Sequence, residues 1–254
     1  MIKVSSLDPK IIRDAALKGA VWHQKKSQGK VLRMRALESK LHAEDSVTFY
    51  YDPKVLSLRA PEGIECISQN NNYSIWFKPA GVVTQGTQTG DHASLLRYVE
   101  LKVKKEAYLV HRLDRETAGL SIVAHNLKAA ARLSDLFQKN LIKKTYEAVI
   151  LGHFPVGYKQ TIKQSLDDKE AITHFEVKAS NQEKSLVEIQ IDTGRLHQIR
   201  RHFEMISHPV IGDPKYGKGN KNKEGLQLLA KALYFQDPWD HQPRNFSTLS
   251  TLTI

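Results

Sequence analysis

The stretch Val110-His111-Arg112-Leu113-Asp114-Arg115-Glu116-Thr117-Ala118-Gly119-Leu120 decides how this 254-residue chain is interpreted. It places Asp114 between two arginines on a tight turn that joins two apolar, strand-like segments. A strand-end aspartate commonly makes only an Asx-turn and a surface ion pair. The same arrangement also suits a carboxylate that neighbouring cations keep ionised and that a rigid sheet presents on a loop. The residues alone leave both interpretations open.

Strand and helix patterns lie on both sides of this turn. One amphipathic helix is predicted after the N-cap Asn126, and a second one from about Asp192, with Leu196, Ile199, Phe203 and Ile206 on one face. Arg195 lies at the margin of that face, where a basic residue is either tied to a carboxylate or lines a cleft. The architecture is therefore α+β. Apolar strand patterns occur at residues 73–77, 109–113, 120–124, 145–151, 172–177 and 186–191.

The composition points to a soluble protein with a polyanionic partner. The chain has 38 Lys and Arg against 27 Asp and Glu, a formal charge of +11. This excess of positive charge favours nucleic acid as the polyanionic partner. The single cysteine, Cys66, excludes an internal disulfide framework and a cysteine-rich zinc site. No apolar run is long enough for a membrane span, and the first residues lack the apolar core of a signal peptide. We expect a cytoplasmic protein, with a monomer as the default.

The basic charge is locally concentrated near the N-terminus. Residues 10–40 contain nine basic and two acidic groups, a net charge of +7. Such a run is often only a solvated face, but Trp22 and His23 within it favour an RNA-facing surface because aromatic rings add stacking. Polar residues and turn formers then punctuate the chain up to residue 72. We place the domain boundary near residue 66, with a small basic domain at 1–65 and a larger domain at 66–254.

Two further patterns fail on closer inspection. The segment Gly212–Lys218 has the spacing of a phosphate-binding loop, but Gly219 follows where Ser or Thr is required, and the next residues are poor helix formers. His197 and His202 are five residues apart, so a helix would not direct them at one metal ion. We expect no metal and no nucleotide cofactor.

Several motifs in consistent order resemble one family. The stretch 111–119 is similar to the H-R-L-D-x-x-T-S-G motif of the RluA-type pseudouridine synthases. Residues 78–81 resemble the family's K-P-A-G turn, and residues 143–148 resemble its K-x-Y-x-A strand. Residues 193–200 and 208–213 resemble its T-G-R-x-H-Q-I-R and H-P-I-x-G-D motifs. The likeness covers roughly residues 73–240. It departs from the family at Ala118, Leu196 and Leu229.

The resemblance implies a mixed, largely antiparallel sheet of the pseudouridine synthase type with flanking helices. It also implies that the N-terminal region is a degenerate S4-like RNA-binding domain, against which an unrelated basic extension stays open. The implied activity is isomerisation of specific uridines in tRNA or rRNA to pseudouridine. The uracil is retained, so the reaction requires no redox agent, nucleotide or metal.

The resemblance further assigns roles to individual residues. Asp114 is the essential carboxylate, which either attacks C1′ or takes a proton from the sugar. Arg195 pairs with Asp114, and Tyr146 stacks on the extruded uracil and assists removal of the C5 proton, although a strand tyrosine is more often simple packing. Arg112 fills the space of the flipped base or contacts the backbone. Leu228 lines the uracil pocket, and Lys78, Arg200 and Arg201 are expected to contact phosphates.

Two alternatives belong to other classes. A non-catalytic RNA-binding protein on the same fold would tolerate the loss of Asp114. A base-releasing glycosidase would liberate free uracil, whereas an isomerase liberates none. The run Arg200-Arg201-His202 resembles family members that act on tRNA more than those that act on rRNA, which favours tRNA as the substrate.

Overall fold

The computed structural model describes residues 7–25, 29, 31–36 and 41–254. They form two compact units: the described residues up to Glu62 together with Val83–Lys105, and Gly63–Val82 together with Glu106–Ile254. Val83–Lys105, predicted from the sequence to belong to the domain at 66–254, is part of the first unit. Among the described residues, no helix is long and apolar enough to cross a membrane.

The first unit combines short helices with a small antiparallel sheet of order β2-β1-β3. Its first helix begins at Pro9, because Asp8 accepts a hydrogen bond from Lys10 N at 2.7 Å and Pro9 occupies the first turn. Its elements are α1 (Pro9–Leu17), β1 (Val21–Gln24), β2 (Val31–Arg33), β3 (Ser46–Phe49), α2 (Pro53–Leu56) and α3 (Leu95–Val103).

Part of the predicted basic surface of this unit has partners inside it. Arg33 Nε and Arg35 Nη2 lie 3.1 and 2.5 Å from Asp91 Oδ2. The Arg33 guanidinium covers the Trp22 ring at 4.3 Å, and Trp22 donates to the Gln88 carbonyl. These arginines and the indole therefore stabilise the unit itself, and they attach Val83–Lys105 to it. Lys26, Lys30 and Lys40 of the basic run lie outside the described residues.

The second unit is built on one sheet, which in the described part of the chain has ten strands. The sheet order is β4-β5-β7-β12-β8-β11-β10-β9, with β6 beside β7 and β13 beside β12. Only the β7–β12 pairing is parallel. The predicted α+β fold with a mixed, largely antiparallel sheet is confirmed. The elements are β4 (Glu65–Gln69), β5 (Tyr73–Lys78), β6 (Tyr108–Leu109), β7 (Ala118–Ala124), α4 (Leu127–Gln138), β8 (Lys143–Leu151), β9 (Lys159–Lys163), β10 (Ile172–Ser180), β11 (Lys184–Ile191), α5 (Gln198–Met205), β12 (Leu228–Gln236) and β13 (Pro243–Ser247).

Two predicted elements differ from the observed ones. The strand predicted at 109–113 ends at Leu109, because the following residues form the turn that carries Asp114. The helix predicted from about Asp192 begins only at Gln198. The Gln198 side chain takes the place of a first helical turn, since its Oε1 accepts hydrogen bonds from Thr193 Oγ1 at 2.7 Å and Arg195 N at 3.0 Å.

The parallel pairing beside the Asp114 turn requires a glycine. Gly119 of β7 lies opposite Ala230 of β12 and has a φ of +120°. A Cβ at Gly119 would lie 2.3 Å from the Ala230 carbonyl oxygen and 2.6 Å from its amide nitrogen. Both atoms are backbone, so they cannot turn away as a flexible side chain could. Close approach of two backbones is the reason that the motif ends in glycine.

Gly119→Ala should therefore destabilise the second unit by about 2–5 kcal/mol, from overlap and backbone strain together. Gly157→Ala is the matched control. Gly157 also has a left-handed φ, +84°, but its Cβ would meet nothing within 4 Å. The control should cost only about 1–2 kcal/mol. Urea unfolding of both variants measures the difference, and equal losses would contradict the backbone contact.

His111 attaches the turn that carries Asp114 to β7. Its Nε2 accepts a hydrogen bond from the Ile122 amide at 2.9 Å, and its ring stacks on Phe137 with centroids 4.5 Å apart. An accepting Nε2 means that the ring is neutral. Burial, with a smaller effect of the Lys144 charge, lowers the pKa of His111 to about 3. The first residue of the H-R-L-D motif is therefore a structural histidine that orients the turn.

The stability of the protein should depend on this neutral ring. Above pH 6.5 His111 is neutral whether the chain is folded or unfolded, but below pH 6.5 only the unfolded chain readily takes up its proton, because the folded pKa is about 3. The free energy of unfolding should consequently fall by up to about 1.4 kcal/mol per pH unit as the pH drops below 6.5. His111→Gln lacks this titration and should show a shallower fall in urea unfolding. Equal slopes in both proteins would refute the neutral histidine.

Candidate active site

The turn that carries Asp114 is held to the K-P-A-G turn by backbone and side-chain hydrogen bonds. Gly81 N donates to the Arg115 carbonyl at 2.7 Å. Lys78 Nζ donates to the carbonyls of Pro79, Val82 and Arg115 at 3.1, 2.8 and 3.2 Å. Two motifs that are more than 30 residues apart in the chain are thus joined directly behind Asp114.

Lys78 is therefore in the interior, and the predicted phosphate contact is wrong for this structure. Its side chain is fully buried, and its ammonium group already donates to three carbonyls. Burial lowers the pKa of Lys78 to about 8, although the carboxylates of Asp114 and Glu116 act to raise it. Its structural role is to supply hydrogen-bond donors where the backbone of two turns would otherwise be unsatisfied.

A buried arginine on α5 faces the carboxylate. Arg200 Nη1 lies 3.3 Å from Asp114 Oδ2. Its Nε and Nη2 donate to the two oxygens of Asp213 at 2.7 and 2.8 Å. Arg200 is only 2% exposed, so its charge is balanced within the protein. Burial acts to raise the pKa of Asp213, but hydrogen bonds from Arg200 and from backbone amides outweigh it and lower the pKa.

The partner predicted for Asp114, Arg195, is not the one observed. Arg195 is exposed, and its Nε donates to the Glu170 carbonyl at 2.9 Å. The pairing with Asp114 is what the family resemblance implies, and the helix predicted from about Asp192 would carry Arg195. Because α5 begins at Gln198, Arg195 lies in the preceding loop and Arg200 takes its place. Arg200 in turn cannot contact phosphates as predicted, since it is enclosed by Asp114 and Asp213.

The remaining phosphate candidate is also engaged. Arg201 makes two hydrogen bonds to the exposed carboxylate of Asp167, at 2.8 and 3.0 Å. His202 is fully buried and bonds to Thr173 Oγ1 and the Gln164 carbonyl. The run Arg200-Arg201-His202 therefore presents no row of free charges, and the reason it offered for preferring tRNA is lost.

Asp114 lines a cavity of about 100 Å³. Tyr146 of β8 lines it, and burial, helped by the Asp114 charge, raises the pKa of the Tyr146 phenol. Tyr146 is therefore a neutral phenol near neutral pH, suited to stacking and hydrogen bonding rather than to acting as an ionised base. Six of the eight residues selected from the sequence line this cavity: Arg112, Asp114, Tyr146, Arg195, Arg200 and Leu228.

His197 also lines the cavity, although the sequence pattern assigns it no role beyond excluding it as a metal ligand. His197 Nε2 lies 3.8 Å from Asp114 Oδ2, and its Nδ1 lies 3.0 Å from the Tyr216 hydroxyl. Its backbone adopts a left-handed φ of +52° immediately before α5. The signal for His197 was present in the T-G-R-x-H-Q-I-R motif, but nothing in its spacing could show that it faces Asp114.

Comparisons with known proteins agree with these motifs. Residues 72–205 match the model of the RNA pseudouridylate synthase family. An uncharacterized RNA pseudouridine synthase of Mycoplasma genitalium is 31% identical over 83% of this chain and 73% of its own length. Another, from Bacillus subtilis, is 34% identical over 64% of this chain and 61% of its own length. Ribosomal large subunit pseudouridine synthase D of Vibrio parahaemolyticus is 32% identical over 61% of this chain and 53% of its own length.

Solved structures show the same fold. The human RNA pseudouridylate synthase domain containing 1 superposes with a TM-score of 0.62 at 22% identity, over 74% of this chain and 84% of that one. The human RNA pseudouridylate synthase domain containing 4 superposes with a TM-score of 0.59 at 23% identity, over 72% of this chain and 87% of that one. The chain spans between about half and three quarters of the curated relatives cited above. On its motifs, its fold and these matches, this chain belongs to the RluA-type family of RNA pseudouridine synthases, which are isomerases acting on RNA.

Proposed function

We propose that this chain isomerises uridine to pseudouridine in structured RNA and that Asp114 is the essential carboxylate. The observation that carries the proposal is the position of Asp114 in a cavity beside Tyr146, with Oδ2 held by Arg200 at 3.3 Å. Within the described part of the chain, Oδ1 has no hydrogen-bond partner. One oxygen is therefore fixed and the other is available to a reacting atom.

The chemistry requires little beyond such a carboxylate. The bond from C1′ to N1 breaks, the uracil turns within the pocket, and C1′ bonds to C5. C5 loses its proton and N1 gains one, so the overall change is an isomerisation. Asp114 would act on the sugar, either by attack at C1′ or by removal of a sugar proton. Tyr146 would stack on the extruded base with Leu228 on the pocket wall, which compensates part of the cost of unstacking.

We further propose that the substrate is ribosomal RNA. The Vibrio relative named above is a ribosomal large subunit enzyme. The side chains of the run Arg200-Arg201-His202, which favoured tRNA, are already hydrogen-bonded to other residues of this chain. The small N-terminal region at 1–65, S4-like or otherwise basic, would add RNA contacts. The enzyme would act as a cytoplasmic monomer without a metal or nucleotide cofactor.

The decisive experiment follows the C5 proton. Purified protein is incubated separately with rRNA and tRNA that carry tritium at uracil C5, and tritium release into water is measured. Wild type should release tritium from rRNA, and Asp114→Asn should release none while binding the same RNA equally well. Asp168→Asn is the matched control, since Asp168 is an exposed carboxylate with a left-handed φ of +58° that asparagine tolerates. It should keep wild-type activity.

Other results would contradict specific parts of the proposal. Release from tRNA alone would contradict the ribosomal substrate but not the reaction. No release from either pool, with RNA still bound, would favour the non-catalytic RNA-binding protein. Free uracil among the products would instead indicate a glycosidase.

Substitutions at Arg112 and at Lys78 should have different effects on RNA binding. Arg112 is exposed at the cavity, whereas Lys78 is buried. Arg112→Ala should weaken RNA binding and reduce the slope of log K against log salt by about 1, as expected for one lost phosphate contact. Lys78→Met should lower the melting temperature but leave that slope unchanged. Filter binding over a salt series measures both, and a reduced slope in Lys78→Met would contradict its buried role.

A further inference from the structure

The turn Gly212–Gly217, whose spacing resembles a phosphate-binding loop, reaches the candidate active site in two places. Asp213 grips Arg200 through both carboxylate oxygens, at 2.7 and 2.8 Å. The hydroxyl of Tyr216 lies 3.0 Å from His197 Nδ1. Arg200 and His197 are also the two residues whose nitrogen atoms face Asp114 Oδ2, at 3.3 and 3.8 Å. A single turn thus contacts both groups that approach the carboxylate.

The turn is itself well fixed. Asp213 Oδ1 accepts hydrogen bonds from the amides of Lys215 and Tyr216 at 2.8 and 3.0 Å. Asp213 is buried, with 2% of its surface exposed. The Arg200 guanidinium lies 5.2 Å from the centre of the Tyr216 ring. Because Asp213 both orders the turn and holds Arg200, the positions of Tyr216 and Arg200 are coupled.

The surroundings of His197 determine which of its nitrogens carries the proton. A lone pair on Nε2 would face the negative charge of Asp114, which is unfavourable, so the proton belongs on Nε2. Nδ1 is then the acceptor, and the Tyr216 hydroxyl donates to it. The charged groups that act on the ring are Asp114, Arg200, Lys215 and Asp213. Burial is the largest influence and lowers the pKa of His197.

We infer that the turn Gly212–Gly217 positions the catalytic carboxylate through two arms, Asp213–Arg200 and Tyr216–His197, and that His197 is a positioning residue of the isomerisation. The inference rests on the proposed role of Asp114. Both arms approach Oδ2, so Oδ1 is left toward the cavity. The 3.8 Å separation of His197 Nε2 from Oδ2 is longer than a hydrogen bond. We expect it to shorten when RNA fills the cavity, as catalytic contacts commonly do in substrate complexes.

A neutral second arm has a chemical advantage over a charged one. Arg200 already places one full positive charge against Asp114. A second cation would bind the carboxylate more tightly and make it a poorer nucleophile or base. A neutral Nε2–H orients the same oxygen without that loss, and the hydroxyl of Tyr216 keeps the ring in the required tautomer.

Two substitutions at His197 distinguish positioning from packing. Asparagine suits the left-handed backbone of this residue, but its amide is too short to reach the position of Nε2. Glutamine places an N–H donor near that position. His197→Asn should lower kcat for tritium release about tenfold, and Tyr216→Phe about threefold to tenfold, as expected for one lost hydrogen bond. His197→Gln should recover most of the loss, and KM for RNA should stay nearly constant in all three.

Tyr158→Phe is the control, because it removes a phenol outside the cavity, and it should match wild type. Thermal unfolding of each variant checks that the fold persists. Wild-type kcat in His197→Asn or in Tyr216→Phe would overturn the inference. A glutamine variant no better than the asparagine variant would overturn the donor role of Nε2.

A second measurement does not depend on activity. The 15N chemical shifts of the His197 ring, assigned by their loss in His197→Asn, report which nitrogen carries the proton. Wild type should show the Nε2–H tautomer, and Tyr216→Phe should show a mixture. The Nδ1–H tautomer in wild type would overturn the inference even if the enzyme is active. Conversely, the expected tautomer in a protein that releases no tritium would contradict the proposed function and leave the Tyr216–His197 contact supported.

Discussion

The candidate site depends on one buried cation that is hydrogen-bonded to the carboxylates of Asp213 and Asp114 and lies 3.9 Å from that of Glu116. Arg200 is 2% exposed, pairs with Asp213 through both oxygens, and reaches Asp114 with its remaining nitrogen. An unpaired guanidinium in this position would cost several kcal/mol, so Asp213 is required for Arg200 to be buried at all. Burial then fixes the direction of Nη1 toward Asp114. The geometry of the Asp114 carboxylate is consequently set by Arg200 and Asp213 together.

The turn that carries Asp114 is likewise held in place by buried side chains that do not face the cavity. Lys78 and His111 are titratable groups, yet neither faces the cavity in this structure. Lys78 donates to three backbone carbonyls, and His111 accepts from one backbone amide. Turns near an active site cannot satisfy their backbone groups within regular sheets, so side chains must do it. Part of the motif therefore holds the turn in shape, and Asp114 is the member whose carboxylate lines the cavity.

Much of this could be predicted from the sequence, and the failures have physical causes. The α+β architecture and the N-cap Asn126 followed from local patterns, whereas the role of Asp114 followed from the family resemblance. The start of α5 did not, because the apolar period continues through Leu196 into a loop that the Gln198 side chain closes. The family motif contains both Arg195 and Arg200, and its spacing could not show that Arg200 is the one that faces Asp114. Residue type likewise could not show that Lys78 is buried, since exposed lysines are far more common.

The backbone at His197 shows why a pattern alone could not identify the second group beside Asp114. A residue preceding a helix normally caps it, with its side chain turned back to the first amides. His197 makes no such cap; its left-handed φ of +52° is a conformation that carries a cost for a residue with a Cβ. The Gln198 side chain satisfies neighbouring groups instead. The side chain of His197 is thereby released from capping and can lie between Tyr216 and Asp114. At a strained residue that immediately precedes a helix and lines a cavity, the three-dimensional structure gives information that residue spacing cannot supply.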